Sequence, residues 1–341
     1  MNTGNLAATL AVRHRAVLGF ALAAVVTMLI LGQQNTAYAT ATSILIFSLI
    51  SIPLALIYGH GGIVSLCQAT FAGMGGYATA ILTVNYGWSA WQALPLAMAV
   101  PGVLSFAVSR PILRLPLFAL VLGTVAIGEA WSFGVSAAGD TTGGYTGIYG
   151  IPGIPLATDD RQAFVVIVIM VAIMIILFEN FTRTARGRAL NSIRVDPTMA
   201  LSTGTNVAHQ RSIAFTFAAA VAGAAGWYFA LYTGYISPVS LSFNQDAAVI
   251  FMVVIGGRRS SVGPIIGAAI YVLFGDLLPG GVVQGVLFGA VLILILLFMQ
   301  DGIVSIGSPL IRKISNNMRT TKSDQCKTQE YTVQGSGHGD A

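Results

Sequence analysis

Few side chains in this sequence could carry chemistry, and they do not gather. Glu129 stands in Gly128-Glu129-Ala130-Trp131, inside a long apolar run. Asp246 and Asp276 each lie near the edge of another such run. His60 sits in the turn sequence Gly59-His60-Gly61-Gly62, with no second metal ligand near it in sequence. A metal site needs three or four ligands, so a turn residue near the membrane surface is the simpler reading of His60. The chain has two cysteines, Cys67 in an apolar segment and Cys326 in a polar tail. That excludes a disulfide framework and makes a poor metal site. Cys67 reads as a small core residue. The lysines are Lys313, Lys322 and Lys327, and none follows a glycine-rich loop. The phosphate cradle G-x-x-x-x-G-K-[ST] is therefore missing, and with it ATP hydrolysis of the P-loop kind. No paired acids or nucleophile–base spacing suggests an enzyme.

The elements that must position these residues follow from composition. Of 341 residues, 55% are hydrophobic and only 9% charged. A soluble domain carries about 25% charged residues, and the mean hydropathy here is +0.78. These values exclude a disordered chain, a nucleic-acid-binding module and an ordinary soluble enzyme. The fold class is an all-α polytopic membrane protein. A spanning helix takes about 20 residues. Ten apolar segments are legible: 16–32, 37–58, 63–84, 91–109, 115–137, 162–180, 212–233, 242–257, 262–279 and 282–300. The third and eighth are glycine-rich or short. Broken or re-entrant helices are expected there, tolerated where protein or a water-filled cavity covers the backbone.

The positive charges orient this set. With the N-terminus and its Arg13 and Arg15 in the cytoplasm, ten crossings put 16 of 17 Lys+Arg residues inside, leaving Arg161 outside. Both termini are then cytoplasmic. The first helix is expected to be retained, because its 17-residue apolar stretch exceeds a signal-peptide core. The outer loop 138–161 is glycine-rich and the inner loop 181–211 is basic. Residues 1–300 form the membrane domain. Residues 301–341 form a polar cytoplasmic tail, expected to be disordered at its end.

Placed in this frame, Glu129 falls about eight residues from the outer end of the fifth span. A charge at that depth costs several kcal/mol unless paired, hydrated or neutralised. Two readings stand: a residue on a wet translocation path or subunit seam, or a carboxyl hydrogen-bonded within the bundle for packing. Asp246 and Asp276 lie near outer ends and could reach the interface. Gly73, Gly76 and Ala80 nearly share a helical face, as do Gly223 and Ala224 with Trp227, and close helix packing accounts for them. A short echo relates Gly61-Gly62-x-x-Ser65 to Gly256-Gly257-x-x-Ser260. Internal repeats are common in transporters, and chance explains two such motifs as well. In the basic loop, Arg186, Gly187, Arg188, Ala189, Leu190, Ile193, Arg194, Asp196, Ala200 and Gly204 are spaced for a short helix under the membrane, closed by a glycine. A plain solvated loop is the alternative.

Taken in order, these elements resemble the permease subunit of branched-chain amino-acid ABC importers, the Liv type, over roughly residues 40–300. The glycine-rich stretch of that family is matched by Gly62-Ile63-Val64-Ser65-Leu66, Phe71, Gly73 and Gly75-Gly76-Tyr77. Its fifth-span acid corresponds to Glu129, and its T-G-G-x-x-G and G-I-P elements to Thr142–Gly147 and Gly150-Ile151-Pro152. Gly187–Asp196 matches the stretch that begins the ATPase-docking loop, and Met252–Pro264 a later element. The sequence departs from the family at Pro197-Thr198-Met199-Ala200, at Asp246 where Glu is usual, and at Arg259 where Gly is common. The resemblance implies an importer of two permease chains, two ATPases and an extracytoplasmic binding protein in a bacterial inner membrane. Glu129 and Asp246 would then touch the substrate path. It implies no cofactor and no metal. Leucine, isoleucine and valine are the default substrates, and the second permease is usually a homologue. An ion-coupled secondary transporter working through Glu129 is the competing reading.

Overall fold

A computed structural model describes residues 35–277, except 140, 155, 156 and 158, together with a few positions between 17 and 24. Most of the expected first span and its retained helix, the whole tenth span, and the tail 301–341 with Cys326 lie outside the described residues.

Each apolar segment read from 37 onward contains a helix as far as the described residues go, and the third begins with a non-helical stretch. In chain order they are α1 (Asn35–Gly61), α2 (Gln68–Ala80), α3 (Ala90–Ile112), α4 (Leu117–Ala137), α5 (Asp160–Arg183), α6 (Ala185–Val195), α7 (Pro197–Ser202), α8 (Val207–Thr233), α9 (Phe243–Gly256) and α10 (Gly263–Leu277). Among the described residues, five are long and apolar enough to cross a membrane: Ala37–Gly61, Ala90–Ile112, Phe118–Ala137, Asp160–Arg183 and Val207–Thr233. The shorter α9 and α10 are apolar as well. A π-helical turn, Ile81–Asn85, extends α2. The helical reading misses one small element. Ile148–Tyr149 (β1) pairs antiparallel with Tyr235–Ile236 (β2).

The helices form a bundle whose centre is α8. It packs closely on α2 and α3, and α1 packs on α5, α8 and α10. Small residues permit this. A Cβ on Gly226 would run into the Ala72 carbonyl oxygen, one on Gly75 into the Gly223 backbone, and one on Gly223 into the Ala97 carbonyl oxygen. The backbones touch where side chains would hold them apart. Several polar groups at these contacts bond across helices. Trp227 donates from Nε1 to the Ala90 carbonyl at 2.7 Å, Tyr228 from its hydroxyl to that of Ala163 at 2.7 Å, and Gln68 from Nε2 to that of Ala218 at 2.8 Å. In a lipid solvent an unmade bond of this kind costs more than in water, so these contacts fix helix register.

The two ends of the bundle differ. One collects Arg110, Arg114, Arg183, Arg186, Arg188, Arg194, Arg211, Arg258 and Arg259 at helix ends and in the α5–α8 connection. The other holds the glycine-rich segment after α4. There Gly143, Gly144, Gly147 and Gly150 all have positive φ, and the segment is tied down rather than open. Tyr149 stacks on Tyr235 with ring centroids 4.2 Å apart, and the Tyr235 hydroxyl donates to the Thr146 carbonyl at 3.0 Å.

Candidate functional site

The break between α1 and α2 builds the first part of the site. α1 ends at Gly61, and Gly62 turns the chain with φ +66°. Residues Ile63–Cys67 then run inward without helical structure. The start of α2 is buried, and no capping side chain comes from Cys67. The missing acceptor comes from α9. One oxygen of the Asp246 carboxylate accepts the Ala69 N–H at 2.5 Å and the other accepts the Thr70 hydroxyl at 2.7 Å. Asp246 is 1% exposed. A carboxylate at a helix N-terminus meets both the unpaired amides and the positive end of the helix dipole. Ten residues of helix separate Asp246 from Gly256, a rise of about 15 Å. Asp246 thus stands at the end of α9 away from the basic end, as its place in the sequence suggested, but it is buried against α2 and does not reach the surface.

Beside this cap stands α4. Thr124 accepts the Leu66 N–H on its Oγ1 at 3.1 Å. A Cβ on Gly128 would come within 2.9 Å of the Thr70 hydroxyl, and Trp131 meets Tyr77 edge-on at 6.2 Å between centroids. Residues 124, 128 and 131 therefore form the stripe that faces α2. Glu129 is one residue past Gly128, turned by about 100°. It is exposed, on a face shared with Phe118, Leu122 and Phe133. The structure does not bring Glu129 and Asp246 together: one carboxylate caps a helix inside the chain, and the other points away from it. The Asp276 side chain lies outside the described residues.

The second part is at the basic end. Between the end of α5 and the start of α8, the basic loop read as 181–211 forms two short helices, α6 and α7, where its candidate residues were spaced for one. Asp196 separates them and caps α7, accepting the Thr198 and Met199 amides at 2.8 and 3.1 Å. Gly204, φ +80°, follows the end of α7. Leu190 and Ile193 are fully buried and Ala200 nearly so. Gly187 fits where a Cβ would strike the Phe181 and Thr182 carbonyls. Arg194 donates from Nη1 to the Gly59 carbonyl at 2.8 Å, and its stem lies on Gly62. Gly59 in turn lies against the Arg258 backbone. The two Gly-Gly motifs of the sequence echo, Gly61-Gly62 and Gly256-Gly257, thus end α1 and α9 at neighbouring places. Each includes a glycine at positive φ, Gly62 and Gly257.

While α6 is anchored, its far side is bare. Arg186 and Arg188 are exposed, and so are Val195 (87%), Met199 (68%) and Leu201 (58%). Sequence reasoning missed these three. Their apolar type within a polar loop was the available signal. Of the candidate glycines, Gly76 meets Ile236 and Gly226 closely, whereas Gly61 and Gly73 sit at ordinary contact distances. Of the two glycines that bring α2 closest to α8, Gly75 entered the sequence reading only through the family's glycine-rich stretch, and Gly226 not at all. A Cβ on Gly256 would strike the Gly263 carbonyl. His60 packs edge-on to Phe178, and Cys67 is buried with its sulfur 3.2 Å from the Ser65 hydroxyl. No group of three or more potential metal ligands exists among the described residues.

Comparison with known proteins identifies a family. The family model described as "Branched-chain amino acid transport system / permease component" matches residues 36–299. The high-affinity branched-chain amino acid transport system permease proteins LivM of Salmonella typhimurium and Escherichia coli K12 are each 27% identical over 300 residues, 80% of this chain and 71% of theirs. The fructose import permease protein FrcC of Rhizobium meliloti is 29% identical over 113 residues, 32% of this chain and 31% of its own. No solved structure matches. With the family model covering most of the chain, this protein belongs to the permease components of branched-chain amino acid transport systems.

Proposed function

We propose that this chain is one membrane-spanning half of an ABC importer for branched-chain or related amino acids. Two separate ATPase subunits drive it, and an extracytoplasmic binding protein loads it, in a bacterial inner membrane. The observation that carries the reading is the α6–α7 platform. It is rigidly seated through Leu190, Ile193 and Arg194 and presents Val195, Met199 and Leu201 to whatever lies beyond the basic end. Such a surface suits a soluble partner that pushes on the bundle. The basic end is assigned to the cytoplasm by the positive-inside rule, giving ten spans with both termini inside. The pinned loop 138–161 then faces the loaded binding protein.

Movement of the platform reaches the bundle through Arg194, the Gly59–Gly62 turn and the segment leading to α2. Asp246 holds the start of α2 against α9, so the two short helices travel together. This is rigid-body alternating access. α4 makes few contacts within the chain, and its exposed stripe with Glu129 faces a second, homologous permease chain across the substrate path. Burial beside a partner explains an acid on an otherwise apolar helix face. ATP hydrolysis belongs to the partners, and this chain positions and moves.

The test is purification of the tagged chain from its native membranes in mild detergent, followed by uptake in proteoliposomes. P-loop ATPases and a second permease should co-purify, and uptake should require internal ATP. Uptake that ignores ATP but collapses with an uncoupler would sink the proposal and point to ion coupling at Glu129.

A further inference from the structure

A cleft of about 570 Å³ opens at the basic end between the end of α3 and the α7–α8 connection. Its walls include Leu113, Arg114, Leu201, Gly204, Val207 and Arg211, and no carboxylate lines it. Arg114 is exposed. Arg211 is half-buried, and its Nε is buried with no hydrogen-bond partner. The start of the 27-residue α8 also faces this space. There the Asn206 side chain takes the His209 amide at 3.0 Å. Val207 and Ala208, which line the cleft, are the first two residues of α8, and that cap leaves their amides open. A hydrogen bond between the Ser109 and Ser212 hydroxyls joins α3 to α8 just behind the cleft, so its walls are fixed.

We propose that this cleft binds the phosphate of an anionic phospholipid from the leaflet at the basic end. Two guanidiniums, two open amides and no opposing acid select a phosphate ester. Arg211 brings a second positive charge to a wall of the cleft, half-buried where water screens it less than it screens the exposed Arg114. The apolar walls come from the last turn of one membrane-spanning helix and the first turn of another. Headgroups lie at the ends of spanning helices, and the exposed apolar face of α3, with Val103 and Phe106, offers acyl chains a surface beside the cleft. Free phosphate shares the headgroup chemistry but lacks those chains. Leu201 and Gly204 belong to the α7 platform, so an occupied cleft steadies the surface that meets the ATPase. This last consequence rests on the proposed function; the binding itself does not.

The experiment uses the full chain in nonionic detergent. Thermal unfolding is followed as phosphatidylglycerol, phosphatidylcholine or inorganic phosphate is added, and native mass spectrometry counts retained lipid. Phosphatidylglycerol should give a saturable stabilisation that phosphatidylcholine does not. The double variant Arg114→Gln/Arg211→Gln should need about 25-fold more phosphatidylglycerol, roughly fivefold for each charge. Should Arg211→Gln not fold, Arg114→Gln alone changes only an exposed side chain and should show about fivefold. An unchanged lipid response in these variants overturns the proposal. So does an equal stabilisation by inorganic phosphate at the same concentration, which would make the site one for free phosphate. So does a wild-type chain indifferent to phosphatidylglycerol whose double variant loses its ATPase, which would give the cleft to an acidic side chain of the partner. Co-purification of the ATPase with wild type is scored separately, so failure of the importer reading leaves the lipid result intact.

Discussion

Replacing Asp246 with Asn tests whether the carboxylate fastens α2 to α9. In the native chain it accepts from the Ala69 amide at 2.5 Å and from the Thr70 hydroxyl at 2.7 Å, at a site 1% exposed. Asn keeps one acceptor oxygen but presents an NH₂ group to a donor. One buried donor then goes unsatisfied, at about 1–3 kcal/mol, and the charge-assisted character of the other bond is lost. The expected cost is about 3 kcal/mol. Thr70→Val removes only the hydroxyl donor and should cost about 1–2 kcal/mol. If the two groups act on each other, the double variant loses at least ~1 kcal/mol less than the sum. The assay is unfolding in mixed micelles followed by tryptophan fluorescence, with wild type, both single variants and the double variant side by side. Strict additivity, or an Asp246→Asn chain as stable as wild type, would show that the carboxylate does not cap α2.

Three further outcomes are expected. Gly226→Val places a side chain where even a Cβ meets the Ala72 carbonyl; it should cost about 3 kcal/mol or prevent folding, read as loss of a monodisperse peak in size-exclusion chromatography, while Gly153→Val, where a Cβ has open space, should keep that peak. Met199→Glu or Leu201→Glu should each weaken ATPase binding about 30-fold, since apolar anchors of an interface contribute ~2 kcal/mol each, and the pair by several hundredfold (about 4 kcal/mol), with membrane insertion unchanged; retention of the ATPase by the double variant would move the docking surface elsewhere. Arg194→Lys should keep the ATPase bound yet lower uptake per ATP about tenfold, because a charged hydrogen bond to the Gly59 carbonyl contributes ~1.5–3 kcal/mol; unchanged coupling would show that Arg194 only seats α6.

The spanning helices were legible because lipid imposes length and hydropathy on them, and α3, α5 and α8 follow that demand closely. The breaks at α2 and α9 were legible too, through glycine and short length. Other features depend on encounters between residues far apart in the chain. Nothing near Asp246 in sequence announces a helix start 177 positions earlier. Glu129 could be assigned to a depth but not to a face, since one residue of helix turns it from the α2 side to the exposed side. The second short helix, α7, follows from Asp196-Pro197, a cap followed by a residue suited to the first helical turn. The β1–β2 pair was hidden because two-residue strands have no periodicity, although the positive-φ glycines around β1 marked a shaped loop. Met199 and Leu201 look like ordinary buried positions until α6 and α7 are seen to turn Ala200 inward instead.

The cap on α2 also constrains how the protein is made. With Gln68, two threonines and three glycines in its 13 residues, α2 is a poor lodger in lipid by itself. Its N-terminal amides acquire their acceptor only when Asp246 emerges from the ribosome, 177 residues after Ala69. At about 5–20 residues per second, that is a wait of roughly 10–35 s. During it, a polar helix start must stay hydrated at the translocon or shelter beside α1. α8, which supplies the glycine face that receives α2, is made only shortly before Asp246. The first half of the bundle is thus completed by the second, and a nascent chain stopped before residue 246 has no way to close its own interior.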